Sequence, residues 1–308
     1  MVALQRWLVA GLVLLAAAST PLRAATANDS HVLVLGRISD DPKAHYEQLK
    51  PLLDYVVPRM AGVGIREGRI LMAHDAQQMN SYLRRGRVDW VTETAGTAML
   101  LVNGGGARPL LITERDGVSR YTSVFFARRD SGIRSLADLP GHSVAFQNPY
   151  STSAYYVPAT DLVDKGLKLE ILLSPADRPE PDSVGYLFAR TELNIATWVH
   201  KRLVDVGVMS NLDWENPQRV PLAFRNDLAV IHETPDYPRA LALVRGKLDP
   251  KVEARLREVL LEAAGDPDAR EALLQFFKTT RFLPIDAQSR HSLQYIGEGV
   301  QRIRAEVE

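Results

Sequence analysis

The residues Asn148-Pro149-Tyr150-Ser151-Thr152-Ser153-Ala154 place three hydroxyl side chains in a row. They follow an apolar stretch, 142–146, that reads as a buried strand, and they precede a segment that reads as a helix from about Thr152. At a helix start the first backbone N–H groups lack partners and the dipole end is positive. Hydroxyls and N–H groups converging there make an oxyanion site that needs no charged side chain. A serine that only caps a helix has the same sequence signature, so the segment alone leaves both readings open.

Other chemistries find no support. The chain has no G-x-S-x-G, no G-x-x-x-x-G-K and no H-E-x-x-H. Gly62-Val63-Gly64 lacks the third glycine of a dinucleotide fingerprint. The seven histidines are scattered without metal-ligand spacing, and there is no cysteine. Thiolate metal sites, iron–sulfur clusters, disulfides and cysteine nucleophiles are thereby excluded. No nucleophile–base set emerges, so an enzyme is not expected, and neither is a cofactor or a metal. Across 308 residues, 37 basic and 37 acidic side chains balance, which argues against a general nucleic-acid binder. Arg84-Arg85 and Arg128-Arg129 read as solvated faces.

The elements that position the hydroxyl triplet read as alternating strands and helices. An apolar strand at 31–36 precedes Asp41-Pro42, an N-cap and first-turn pair. Leu49, Leu52, Leu53, Val56, Val57 and Met60 then fall on one helix face. Strands at 69–73, 88–91, 109–113, 121–128, 142–146, 169–173, 204–209 and 229–232 are interleaved with helices at 76–85, 94–102 and 193–202. Beyond 232 the chain reads as helical, with the Asp-Pro signature repeated at Asp249-Pro250 and Asp266-Pro267 and a last helix at 286–307. Such alternation predicts an α/β fold with largely parallel sheets flanked by helices.

Residues 1–27 read as a signal peptide. Arg6 is followed by 12 uncharged residues, Thr20-Pro21 breaks the run, and Ala25-Thr26-Ala27 offers a cleavage site. The run is shorter than the roughly 20 residues a membrane span needs. Removing 1–27 takes away Arg6 and Arg23, leaving 35 basic against 37 acidic groups. Without a cysteine after that run, no lipoprotein anchor is available. An exported periplasmic protein is expected.

The motif order is more specific than any one piece. Gly86-Arg87-Val88-Asp89-Trp90 is followed by Tyr121-Thr122-Ser123, by Ser131-Gly132-Ile133 with Leu136-Ala137-Asp138-Leu139-Pro140-Gly141, and by Ser151-Thr152-Ser153. This resembles the phosphate/phosphite/phosphonate-binding periplasmic proteins of ABC importers, from the first strand to about Phe282. The resemblance implies a two-lobed periplasmic binding protein of type II, each lobe a mixed, mainly parallel sheet flanked by helices. Lobe one would be 31–125 plus 226–308, and lobe two, inserted, 126–225. Crossovers near 121–128 and 225–231 would form the hinge.

The resemblance also implies a small oxyanion held between the lobes, an ABC permease as partner, and no nucleic acid; a monomer is expected. The same fold could instead report its ligand to a membrane receptor or kinase. By resemblance, Ser151, Thr152 and Ser153 take the phosphoryl-like oxygens and Tyr121 reaches the ligand. Three positions depart from the family pattern: Ala154 replaces a glycine, Glu192 stands where a histidine is expected, and Ala240 where an acid is expected. A branch with D-W-x-T-E-T and E-x-N-x-x-x-W-V runs is nearer. Those runs add Glu93, Thr94, Glu192 and Asn194 as ligand-facing candidates. Glu93 and Thr94 end a strand, where open α/β sheets place ligands. A carboxylate about 4 Å from a ligand anion would be repelled by about 4 kcal/mol at intermediate dielectric, so Glu192 must turn away, be protonated, or meet a ligand bearing a cation or hydroxyls.

Overall fold

The computed structural model describes residues 31–306; the expected signal peptide at 1–27 lies outside them. In the first part, β1 (Val32–Ile38), α1 (Pro42–Arg59), β2 (Glu67–Ala73), α2 (Ala76–Arg84), β3 (Trp90–Thr94), α3 (Ala95–Gly105) and β4 (Ala107–Arg115) alternate. The middle part runs β5 (Arg120–Tyr121), β6 (Ser123–Arg128), β7 (Ser143–Phe146), α4 (Val157–Asp164), β8 (Lys168–Ile171), β9 (Ser183–Phe188), α5 (Glu192–His200), β10 (Val206–Ser210), α6 (Asn211–Glu215), α7 (Leu222–Arg225) and β11 (Leu228–Glu233). The last part is β12 (Tyr237–Pro238), β13 (Ala240–Arg245), α8 (Pro250–Glu262), α9 (Arg270–Gln275), β14 (Thr279–Leu283) and α10 (Ala287–Glu306).

Two six-stranded sheets result, ordered β14-β4-β13-β3-β1-β2 and β11-β6-β10-β7-β9-β8, with β12-β5 as a separate pair. We refer to the first sheet and its helices as lobe one and to the second as lobe two. Both sheets are mixed. Parallel pairings form the majority in lobe two (β10-β7, β7-β9 and β8-β9). In lobe one, β13 lies antiparallel to both β3 and β4, and β14 antiparallel to β4, so "mainly parallel" does not describe that sheet. The region beyond 232, expected to be helical, supplies these two strands. The run Ala240-Leu241-Ala242-Leu243-Val244 is buried throughout, and a short continuous apolar run carries no period that separates strand from helix.

Strands β6 and β11 lie wholly in the second sheet, paired from Leu228↔Arg128 to Glu233↔Val124. The sequence boundaries at 125/126 and 225/226 therefore cut through β6 and leave β11 on the wrong side. The chain passes between sheets through β5 and β12, where Tyr121 pairs with Tyr237.

Local signals explain the flanking helices. Asp41 accepts from Ala44 N–H at 3.1 Å and Asp249 from Lys251 N–H at 2.8 Å, as their Asp-Pro pairs imply. Leu49, Leu52, Leu53 and Val56 of α1 are buried. Helix α10 lies over both lobes: its Tyr295 hydroxyl donates to Asp164 of α4 at 2.8 Å, and its Gly297 carbonyl accepts from Asn103 of α3 at 3.3 Å.

Candidate functional site

The hydroxyl triplet follows β7 and its loop, as expected, but it does not open an α-helix. Thr152–Tyr156 forms one wide turn of π type, with Ala154 off helical dihedrals at φ −119° and ψ 23°. The α-helix proper begins at Val157. Ser151 caps the wide turn, its Oγ accepting from Ala154 N–H at 3.1 Å. The capping reading is thus realised, and it leaves the neighbouring hydroxyl free for another task.

That hydroxyl is Thr152, only 2% exposed. Its Oγ1 accepts from the backbone N–H of Gly96 at 2.8 Å and pairs with Thr94 Oγ1 at 3.0 Å. Thr97 Oγ1 donates to the Tyr150 carbonyl at 3.4 Å. Thr94, Gly96 and Thr97 sit where β3 becomes α3 in lobe one, whereas Thr152 belongs to lobe two. Two segments singled out from sequence, 92–94 and 151–153, therefore touch across the lobes.

Tyr121 stands at the crossover. Its ring lies 4.9 Å from that of Tyr237, whose hydroxyl shares a 2.7 Å hydrogen bond with Ser123 Oγ. Burial pushes the Tyr121 phenol up to about 12, while a hydrogen bond to Ser153 and the charge of Arg239 pull the other way. Tyr121 is therefore a neutral donor at ordinary pH, in contact with the triplet.

Glu93 is buried, 4% exposed, and faces its own lobe: Oε2 accepts from Arg37 Nη1 at 2.9 Å and Oε1 from Ile38 N–H at 3.0 Å. Burial raises its carboxyl above the usual carboxylate range, against Arg37, these hydrogen bonds and Arg115. Glu192 accepts from Gln147 Nε2 at 2.5 Å and lies 3.6 Å from Arg219. Burial, then the charge of Asp213, raise its carboxyl. Arg219 and the Gln147 amide offset part of the repulsion that a carboxylate at 192 would exert on an anion. Asn194 is exposed, and its Nδ2 donates to the Ala189 carbonyl at 2.8 Å, beside the start of its own helix. The structure thus bonds Thr152 to Thr94, sets Ser153 beside Tyr121, and gives Glu93, Glu192 and Asn194 partners within their own lobes.

Sequence reasoning missed Arg37, Arg115 and Arg239. Arg37 lies near the carboxyl end of β1 and Arg115 at the carboxyl end of β4. The rule that singled out Glu93 and Thr94 applies equally to both. Arg239 donates to the Arg115 carbonyl at 2.9 Å, which places it beside the crossover. Tyr155 and Tyr156, which follow the triplet, are core, with Tyr155 packed on Phe146, Tyr156 and Phe188. A cavity of about 740 Å³ at the amino ends of β1 and β3, lined by Arg87, Arg245 and Lys251 among others, contains none of the predicted residues. Among the described residues no group of three or more His, Asp or Glu side chains is placed to hold a metal.

Residues 36–289 match the family model described as ABC transporter, phosphonate, periplasmic substrate-binding protein. Two solved structures of XAC2383 from Xanthomonas citri are 56% identical to this chain. The one bound to chloride ion covers 90% of this chain and 100% of its own, with a TM-score of 0.85. The one bound to ATP covers 91% and 100%, with a TM-score of 0.84. PA3383 from Pseudomonas aeruginosa, a binding protein component of an ABC phosphonate transporter, is 21% identical over 90% of this chain and 88% of its own, with a TM-score of 0.60. At that identity the likeness speaks for the fold.

Proposed function

The chain belongs to the periplasmic substrate-binding proteins of phosphonate ABC transporters, and from this we propose that it captures a phosphoryl-type oxyanion between its lobes and presents it to a membrane permease. The observation that carries the reading is the Thr152 hydroxyl, buried between the lobes and bonded to Thr94 and Gly96 of the opposite one. Ser151 and Ser153, with the neutral Tyr121 phenol, supply donors to anionic oxygens from lobe two and the crossover, while the Thr152 hydroxyl, which donates to Thr94, ties the two lobes together at the site. Thr94 supplies one from lobe one. Closure of the two lobes around the ligand would complete this set.

Chloride and ATP, the species bound to XAC2383, are both anions, which favours an anion here as well. Glu93 and Glu192 are paired with Arg37 and Arg219, which offset part of their charge toward such a ligand.

A thermal-shift screen with phosphate, phosphite, methylphosphonate, aminoethylphosphonate, ATP, sulfonates and carboxylates tests the reading. A ligand at 100 times its dissociation constant adds about 2.7 kcal/mol of stability. Ser151→Ala combined with Thr152→Ala should abolish that gain for whichever phosphoryl anion binds. A double variant stabilised as strongly as the native chain would refute the site.

A further inference from the structure

Lobe one also buries charge at the carboxyl ends of its strands. Arg115 is 8% exposed and Arg37 has a side chain 14% exposed. Arg37 Nη1 is satisfied by the Thr92 carbonyl at 2.8 Å and by Glu93. Arg115 Nη2 reaches only Thr92 Oγ1, at the 3.5 Å limit. The Nε atoms of both guanidiniums are buried without a hydrogen-bond acceptor among the described residues. Buried polar groups, and charged ones above all, ordinarily find partners.

Both guanidiniums face one ring. Arg37 Cζ is 5.0 Å and Arg115 Cζ 4.7 Å from the centroid of Phe277. Phe277 and Lys278 have φ of +54° and +55°, in the left-handed region that bulky residues avoid. A strained backbone that presents a ring to two buried cations is typical of functional sites. Arg239, tied to the Arg115 carbonyl, adds a third charge, and Glu93 is the acid bonded within this group. Three guanidiniums stand against Glu93 within the group and Asp213 beside Tyr121, so positive charge is in excess even with both acids ionised. The group adjoins the hydroxyl site at Tyr121, which is within the fields of Arg239, Asp213 and Arg115.

We propose that Arg115, backed by Arg37 and Arg239, is an anion-neutralising subsite on the lobe-one side of the cleft, so that the ligand is an oxyanion of charge −2 or more rather than a monoanion. This rests on the interlobe reading above. Glu93 is a positioning residue that fixes Arg37. The sequence departures at 192 and 240 do not bear on this subsite, which selects the ligand by its charge.

Sulfate and methanesulfonate separate charge from tetrahedral shape. Titrated at constant ionic strength, the native chain should bind sulfate about tenfold or more tightly than methanesulfonate, as expected for hydrogen bonds to a charged group. Arg115→Gln should weaken sulfate about tenfold and erase the preference; Arg115→Lys should retain part of both. A folded Arg115→Gln protein that binds sulfate as the native chain does would overturn the proposal. So would a native chain that does not prefer sulfate, a result that requires no variant. The Ser151→Ala, Thr152→Ala double variant in the same titration separates the two readings. If it binds as the native chain does while Arg115→Gln loses binding, the hydroxyl site fails and the arginine subsite stands; the reverse pattern fails the subsite alone.

Discussion

Adding one methyl group at Gly96 should hold the lobes apart without harming either. A Cβ built there would lie 2.9 Å from Thr152 Oγ1, 2.9 Å from Tyr156 Cδ2 and 3.4 Å from Thr152 Cα. Thr152 and Tyr156 are each only 2% exposed, so neither has room to swing away. Overpacking of this kind costs about 1–3 kcal/mol, and here the cost falls only on the form in which the lobes touch. With the lobes parted the methyl faces solvent, and alanine in a helix is favoured over glycine by roughly 0.5–1 kcal/mol. The two effects have opposite signs in the two forms. Gly96→Ala should therefore weaken ligand binding by about 5- to 150-fold while the ligand-free melting temperature stays level or rises by up to about 2–4 °C. Calorimetric titration with the anion that binds, paired with scanning calorimetry of the free protein, measures both. Unchanged affinity together with a destabilised free protein would mean that the Gly96–Thr152 contact is permanent packing, and the capture argument would fail.

Three further substitutions probe separate parts. Thr152→Val keeps the shape but leaves the Gly96 N–H without its acceptor whenever the lobes meet. Affinity should fall by the equivalent of about 1–3 kcal/mol, again with little change in the free protein, as read by titration. Glu192 has a raised folded-state pKa, so the stability it confers is full below its unfolded value near 4.5 and is lost as pH rises through the folded value. Glu192→Gln should accordingly gain stability relative to the native chain as pH rises, seen in urea midpoints taken from about pH 4 to about pH 8; parallel curves would contradict the buried-acid assignment. Tyr237→Phe removes the partner of the buried Ser123 hydroxyl at the crossover. It should lower ligand-free stability by about 1–3 kcal/mol, and a neutral result in thermal melts would show that Ser123 finds another partner.

Much of this was legible because the signals were local. The Asp-Pro helix starts at Asp41 and Asp249 and the apolar stripe of α1 are each decided within a few residues, and the structure holds them; the strand expected at 88–91 is present but runs on as Trp90–Thr94. What failed depended on distant chain. Nothing in Ala240–Arg245 announces a strand until β3 and β4 lie on either side of it. The sequence 151–156 reads as a helix start, but the chain makes a wide turn there, the Tyr156 N–H bonding the Ser151 carbonyl at 2.9 Å. Charge was the larger omission. A site imagined from hydroxyls and N–H groups has three arginines behind it, from 37, 115 and 239, which only the sheet order and the crossover bring together. The overall balance of 37 basic and 37 acidic groups conceals that local excess.

The most direct test is a crystal structure of this chain grown with the phosphoryl anion that gives the largest thermal shift. Phosphoryl oxygens should lie within hydrogen-bond distance, about 2.5–3.2 Å, of the 151–153 segment and the Tyr121 hydroxyl, with the lobes in contact at Thr94 and Thr152. An anion bound elsewhere, such as the cavity lined by Arg87 and Lys251, with no density between the lobes, would contradict it.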